Sequence, residues 1–198
     1  MLDFTFEESP WEQVLNNAGN SILATQMLAL LEGEEEDVWE DAFAVLNEKH
    51  IQLDISGLPK NMGSGETAVR LRREMQLVQD GALLQGLEES DPLRLYLEEI
   101  AATPACGDPQ LLEKQLLSGD EAARGLLVNL SLHRVVQIAQ ELVGNGVLLL
   151  DLIQEGSLGL WESILSWQGT DDFEEYRDWW IRQSMAKLIT LQARALGV

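Results

Sequence analysis

The chain has 198 residues, 45% of them hydrophobic, and a formal net charge of −21. That size supports a domain plus a smaller one, each with a buried core. The charge argues against a free-standing nucleic-acid binder built on a basic stripe, since residues 1–90 carry 18 acidic and 5 basic side chains and residues 91–198 carry 16 and 8.

In the first segment, Trp11, Val14 and Leu15 suit one apolar helical turn. Asn20-Ser21 is placed to cap a helix over residues 22–31. The acidic turn 32–37 puts carboxylates at the start of the next helix, where the helix dipole favours them. That helix, 38–49, has Val38, Trp39, Ala42, Phe43, Val45 and Leu46 on one face. Residues 51–55 alternate apolar and polar, as a half-buried strand does. A Gly/Pro/Ser/Asn-rich stretch follows. We therefore divide the chain into an N-terminal module at 1–56, a linker at 57–65 and a helical domain at 66–198.

Helical periodicity dominates the second segment. Residues 66–84 form a helix whose Arg70, Arg72 and Arg73 read as a solvated face. Asp91-Pro92 and Asp108-Pro109 each open a helix with proline in its first turn. Between them the connector 103–109 holds Cys106, with no base nearby in sequence to activate it. Residues 118–120 cap a long helix through 130. A second helix, 132–143, is stopped by Gly144-Asn-Gly146. The next element starts at Val147. Gly156-Ser157 is expected to break it, with Ser157 capping a third helix over 158–167. A last helix spans about 172–195. The expected fold is all-α, a helical domain preceded by a small, mostly helical module with at most one short strand.

Two groups of residues carry possible chemistry. Asp151 and Glu155 stand i, i+4 apart and share a helix face with Gln154 nearby; this is either a solvated face or a docking surface. Phe173, Tyr176 and Trp180 share a face of the last helix, with Trp179 beside them; this is either a core stripe or a stacking platform for bases. There is no nucleophile–base pair, phosphate-cradling glycine loop or metal-ligand spacing. His50 and His133 stand alone. The single cysteine excludes an internal disulfide or a cysteine-rich metal site. We expect no enzyme activity, cofactor, metal or small-molecule substrate. No apolar run is long enough for a membrane span, and residues 1–8 do not read as a signal peptide; a cytoplasmic location is expected.

Asp151-Leu-Ile-Gln-Glu-Gly156, Leu158-Gly-Leu160, Trp179-Trp-Ile-Arg-Gln183 and Gln192-Ala-Arg194 resemble region 2 of bacterial RNA polymerase sigma factors of the sigma-70 family. Residues 91–100, beginning Asp91-Pro-Leu-Arg, resemble region 1.2, and the layout of the first segment is similar to the acidic region 1.1. The chain is expected to lack regions 3 and 4.

The resemblance implies a transcription initiation factor that binds core RNA polymerase and helps recognise and open the promoter −10 element. It implies docking on a coiled coil of the largest polymerase subunit through Leu150, Asp151, Gln154, Glu155, Ser157 and Trp161. It implies contact with promoter DNA through Phe173, Tyr176, Trp179, Trp180, Arg182, Gln183 and Lys187. The chain departs from the family where Lys and Arg usually flank the aromatics. Asp171, Asp172, Glu174, Glu175 and Asp178 stand there, opposed by Arg177. Glu141 and Asn145 also sit where basic residues are usual, and Ala186 replaces a base-reading hydroxyl. The alternative is a sigma-like polymerase-binding accessory or competitor with impaired DNA binding.

Overall fold

The structure, a computed structural model, describes residues 9–60, 62–104 and 106–198. The chain separates into two compact units, Met1–Leu58 and Pro59–Val198.

In the first unit, α1 (Pro10–Asn16) starts at a reciprocal cap. The Ser9 hydroxyl accepts from the Glu12 N–H, and the Glu12 carboxylate accepts from the Ser9 N–H at 2.6 Å. Next come β1 (Ser21–Leu23), α2 (Ala24–Leu30), α3 (Glu36–Glu48) and β2 (Gln52–Asp54). The two strands pair in parallel, with Ile22 opposite Leu53. The sequence suggested one strand and placed residue 22 inside a helix. A lone strand leaves its backbone groups unpaired, and β1 supplies the partner. Both Ile22 and Leu53 are buried, so the pair also completes the core around Leu15, Met27, Trp39, Phe43 and Leu46. His50 has a specific task here. It adopts a left-handed φ of 51° just past α3, while the Ile51 N–H donates to the Leu46 carbonyl at 2.8 Å and the His50 N–H to that of Asn47. That pattern closes the helix and turns the chain into β2.

Among the described residues the elements of the second unit are all helices: α4 (Gly65–Gln79), α5 (Leu83–Gly86), α6 (Pro92–Ala102), α7 (Pro109–Leu117), α8 (Glu121–Glu141), α9 (Leu149–Ser166) and α10 (Phe173–Leu196). The all-α class stands. Asp91, Asp108, Asp120 and Asp172 cap α6, α7, α8 and α10, each accepting a backbone N–H. The core lies where α8, α9 and α10 meet, around Val135, Ile138, Leu152, Ile153, Leu160, Ile181, Met185 and Ile189.

Two expected joints are absent. Helix α8 runs unbroken past residue 131, and α9 runs through Gly156-Ser157. Ser157 is not a cap; its hydroxyl donates to the Ile153 carbonyl one turn back, at 2.7 Å. The glycines of α9 serve close approach instead. A Cβ on Gly156 would lie 2.1 Å from Met185 Cε, and one on Gly159 would lie 2.5 Å from the Trp180 carbonyl oxygen. Glycine costs about 1 kcal/mol against alanine inside a helix, and α9–α10 packing offsets it.

This gives a paired expectation. Gly159→Ala should destabilise the fold by about 1–3 kcal/mol, because the obstructing atom is backbone and has nowhere to go. Gly125→Ala in α8, where an added Cβ meets nothing within 4 Å, should instead stabilise by up to about 1 kcal/mol. Urea unfolding of both variants checks the contrast; equal effects would remove the close-approach account.

Candidate functional site

Helix α9 buries Leu149, Leu152, Ile153, Gly156, Leu160, Ser163 and Ile164 against its neighbours. The opposite side is left outward. Asp151, Gln154 and Trp161 are exposed, and Leu150, Glu155 and Ser157 are half-buried. All six expected docking residues thus fall on one rigid helix, off its packed face. The same face continues through two exposed apolar side chains that sequence reading missed, Leu158 at 61% exposure and Leu165 at 49%. Their signal was present: 151, 154, 158, 161 and 165 follow helical spacing. A row of exposed large apolar side chains beside a carboxylate and an amide is a surface suited to a partner.

The first turn of α9 is held from far away in sequence. Its capping residue, Leu148, has no polar side chain. Instead the buried carboxylate of Glu74, on α4, accepts the Leu149 N–H at 2.8 Å. Glu74 also pairs with Arg70 at 3.3 Å. Burial pushes the Glu74 carboxyl above its ordinary value, although the Leu149 N–H and Arg70 pull the other way. A raised folded-state pKa means the folded chain holds this proton more tightly. The associated stability is full below the ordinary value of 4.5 and is lost as pH rises through the raised one. Glu74→Ala should cost about 1–3 kcal/mol at neutral pH, leaving a buried donor unmet. Glu74→Gln retains an acceptor and should flatten that pH dependence, which urea unfolding between about pH 4 and 7 would read.

On α10 the four aromatics divide. Tyr176, Trp180 and Trp179 form a chain of edge contacts, with ring centroids 6.3 Å and 5.2 Å apart. The three are half-buried, and Tyr176 shares a hydrogen bond with Ser166 at 2.9 Å. Phe173 is buried and meets the edge of Trp167 at 5.1 Å. Gln183 is buried too, at 3% exposure, so its amide does not face solvent. Arg182 and Lys187 are half-buried. Ala186 is buried.

The charges beside these rings are organised in pairs. Asp178 receives Arg134 of α8 at 2.7 Å and Arg177 at 2.8 Å. Burial raises the Asp178 carboxyl pKa, but the hydrogen bonds and charges of the two arginines outweigh it, and the net shift is downward. Arg182 meets Glu141 of α8 at 2.6 Å. Sequence reading found Asp178 and Glu141 but not Arg134, whose carboxylate partner Asp178 lies far away in sequence. Among the described residues there is no group of three or more side chains able to hold a metal ion, and no helix is long and apolar enough to cross a membrane.

Three packed helices, with a mixed acidic and apolar face on the second and an aromatic row on the third, make up the C-terminal part of the second unit. Residues 127–195 match sigma-70 region 2. The chain is 39% identical over 123 residues to the RNA polymerase sigma factor SigA of a Bacillus species, covering 60% of this chain and 33% of that protein. It is 37% identical over 123 residues to the SigA proteins of Clostridium acetobutylicum and Listeria monocytogenes, covering 60% of this chain and 32% and 33% of theirs. Residues 127–195 thus carry a sigma-70 region 2. The chain spans about a third of the length of these relatives.

Proposed function

We propose that the chain acts in transcription initiation as a sigma-type factor, docking on core RNA polymerase through the outer face of α9. The partner is the arginine-rich coiled coil of the largest polymerase subunit. The observation that carries this reading is the outward face of α9, where Asp151, Gln154 and Trp161 share one side of a helix anchored at both its glycines and its first turn. A carboxylate held on such a frame suits a guanidinium, whose hydrogen bonds to it are strong and directional. The aromatic row of α10 is then the face for the opened −10 element, through Tyr176, Trp179 and Trp180, with Arg182 and Lys187 beside them. Phe173 and Gln183 act from within the fold, as support for that row. The N-terminal unit takes the place of region 1.1.

A second reading has its own support. Arg134, Arg177 and Arg182 are each engaged by a carboxylate of the same chain, which fits a polymerase-binding accessory or competitor with impaired DNA binding. Capture of core polymerase by the intact chain, followed by a promoter-opening assay on the same complex, decides between them. Capture with opening supports the initiation factor, and capture without opening supports the competitor. No capture overturns both.

A further inference from the structure

Arg134, Arg177 and Arg182 differ in one respect from cations available to a phosphate: each is already paired with a carboxylate of the same chain. Arg134 reaches Asp178 through Nε and Nη2, both at 2.7 Å, and turns its Nη1 to Gln137 at 3.2 Å. Arg177 donates Nε and Nη2 to the other Asp178 oxygen at 3.0 and 2.8 Å. Arg177 and Asp178 are only 13% and 21% exposed, so this pairing is shielded from solvent and weakly screened by salt. The Arg182–Glu141 contact is more open, at 36% and 49%.

We propose that Asp178 and Glu141 are specificity-determining residues that set the aromatic face against free single-stranded DNA, by holding Arg134, Arg177 and Arg182 in intramolecular ion pairs. Nucleic-acid affinity depends on cations replacing counterions at phosphates. An arginine paired with a carboxylate must break that pair first, and the released carboxylate then repels the incoming strand. Stacking alone on Tyr176, Trp179 and Trp180 remains. Both acids therefore act twice, as masks of positive charge and as sources of negative charge. This inference rests on the reading of α10 as the nucleic-acid face.

The test uses the full chain and a labelled oligothymidylate, followed by fluorescence anisotropy across a salt series. Asp178→Asn with Glu141→Gln should bind about tenfold or more tighter than wild type, and affinity should fall more steeply with salt as phosphate contacts appear. Adding Arg134→Gln, Arg177→Gln and Arg182→Gln to that background should abolish the gain. If the double variant fails to fold, Glu141→Gln alone opens the exposed pair, and the same gain on a smaller scale is expected. No gain in a folded variant overturns the proposal. A lysine-substituted chain (Asp171, Glu174 and Glu175 to Lys) separates the two ideas. If it binds while the unmasked variant does not, the masking is wrong and the DNA-facing reading survives. If neither binds, both fall.

Discussion

Replacing Asp151 and Gln154 together by alanine should weaken capture of core RNA polymerase roughly 30-fold or more, about 2 kcal/mol. Asp151 and Gln154 sit outward on α9, so the change removes little packing. Asp151 also lies in the first turn of α9, where its charge favours the helix by about 0.3–1 kcal/mol. That share is smaller than the binding loss and shows separately in unfolding. The larger part arises because a guanidinium buried against this face would lose its acceptor. Trp161→Ala should cost a similar amount, since large aromatic anchors dominate interfaces. Glu121→Ala, exposed at the start of α8, should leave capture unchanged. If the Asp151 and Gln154 double variant captures polymerase at wild-type strength, the docking face lies elsewhere. The apolar extension adds a graded expectation: Leu165→Ser, one turn beyond Trp161, should weaken capture less than Trp161→Ala and only if the partner runs the full length of α9.

What the sequence revealed about this region depended on how local the cause was. The Asp-Pro helix starts were legible, because cap and proline act within four residues. The outward face of α9 was legible, because i, i+4 spacing is a property of one helix. The glycines of α9 were misread, because their reason lies on α10: Met185 and Trp180 fill the space where side chains would be. Glu74 was invisible as a cap, since the N–H it serves belongs to Leu149, across four intervening helices in the chain. The strand β1 was missed because a strand needs a partner and the partner comes after α3. Phe173 and Gln183 show a subtler limit. A core stripe and a stacking platform share the same spacing, and only packing places Phe173 against Trp167 and leaves Tyr176, Trp179 and Trp180 nearer the surface.

The free chain should bind a single-stranded −10 oligonucleotide weakly or not at all, although three aromatics remain near the surface. Stacking contributes about 1–3 kcal/mol per base and tolerates any sequence. Against it stand exposed Asp171, Asp172, Glu174 and Glu175 at the start of α10. The density of negative charge there is visible in Glu113 of α7. Burial, then the charges of Asp172 and Glu174, push its carboxyl above the ordinary value. A phosphate entering the same field meets the same repulsion. Exposed charges are screened beyond about 8 Å at physiological salt, so raising salt from very low values should improve wild-type binding, opposite to the usual trend. Asp172 must be left in place when the charge is reversed, because its side chain accepts the Glu175 N–H at 3.0 Å and caps α10. Changing Asp171, Glu174 and Glu175 to lysine should create measurable affinity. It should also restore a negative salt slope, roughly −2 if three phosphates are neutralised. Lysines at a helix N-terminus oppose its dipole at about 0.3–1 kcal/mol each, so a modest loss of stability should accompany the gain. The Glu113 carboxyl should titrate lower in that variant, which nuclear magnetic resonance would read independently of DNA. Tight wild-type binding that weakens with salt would mean that the strand meets a basic surface elsewhere on the chain, and α10 would lose its assignment.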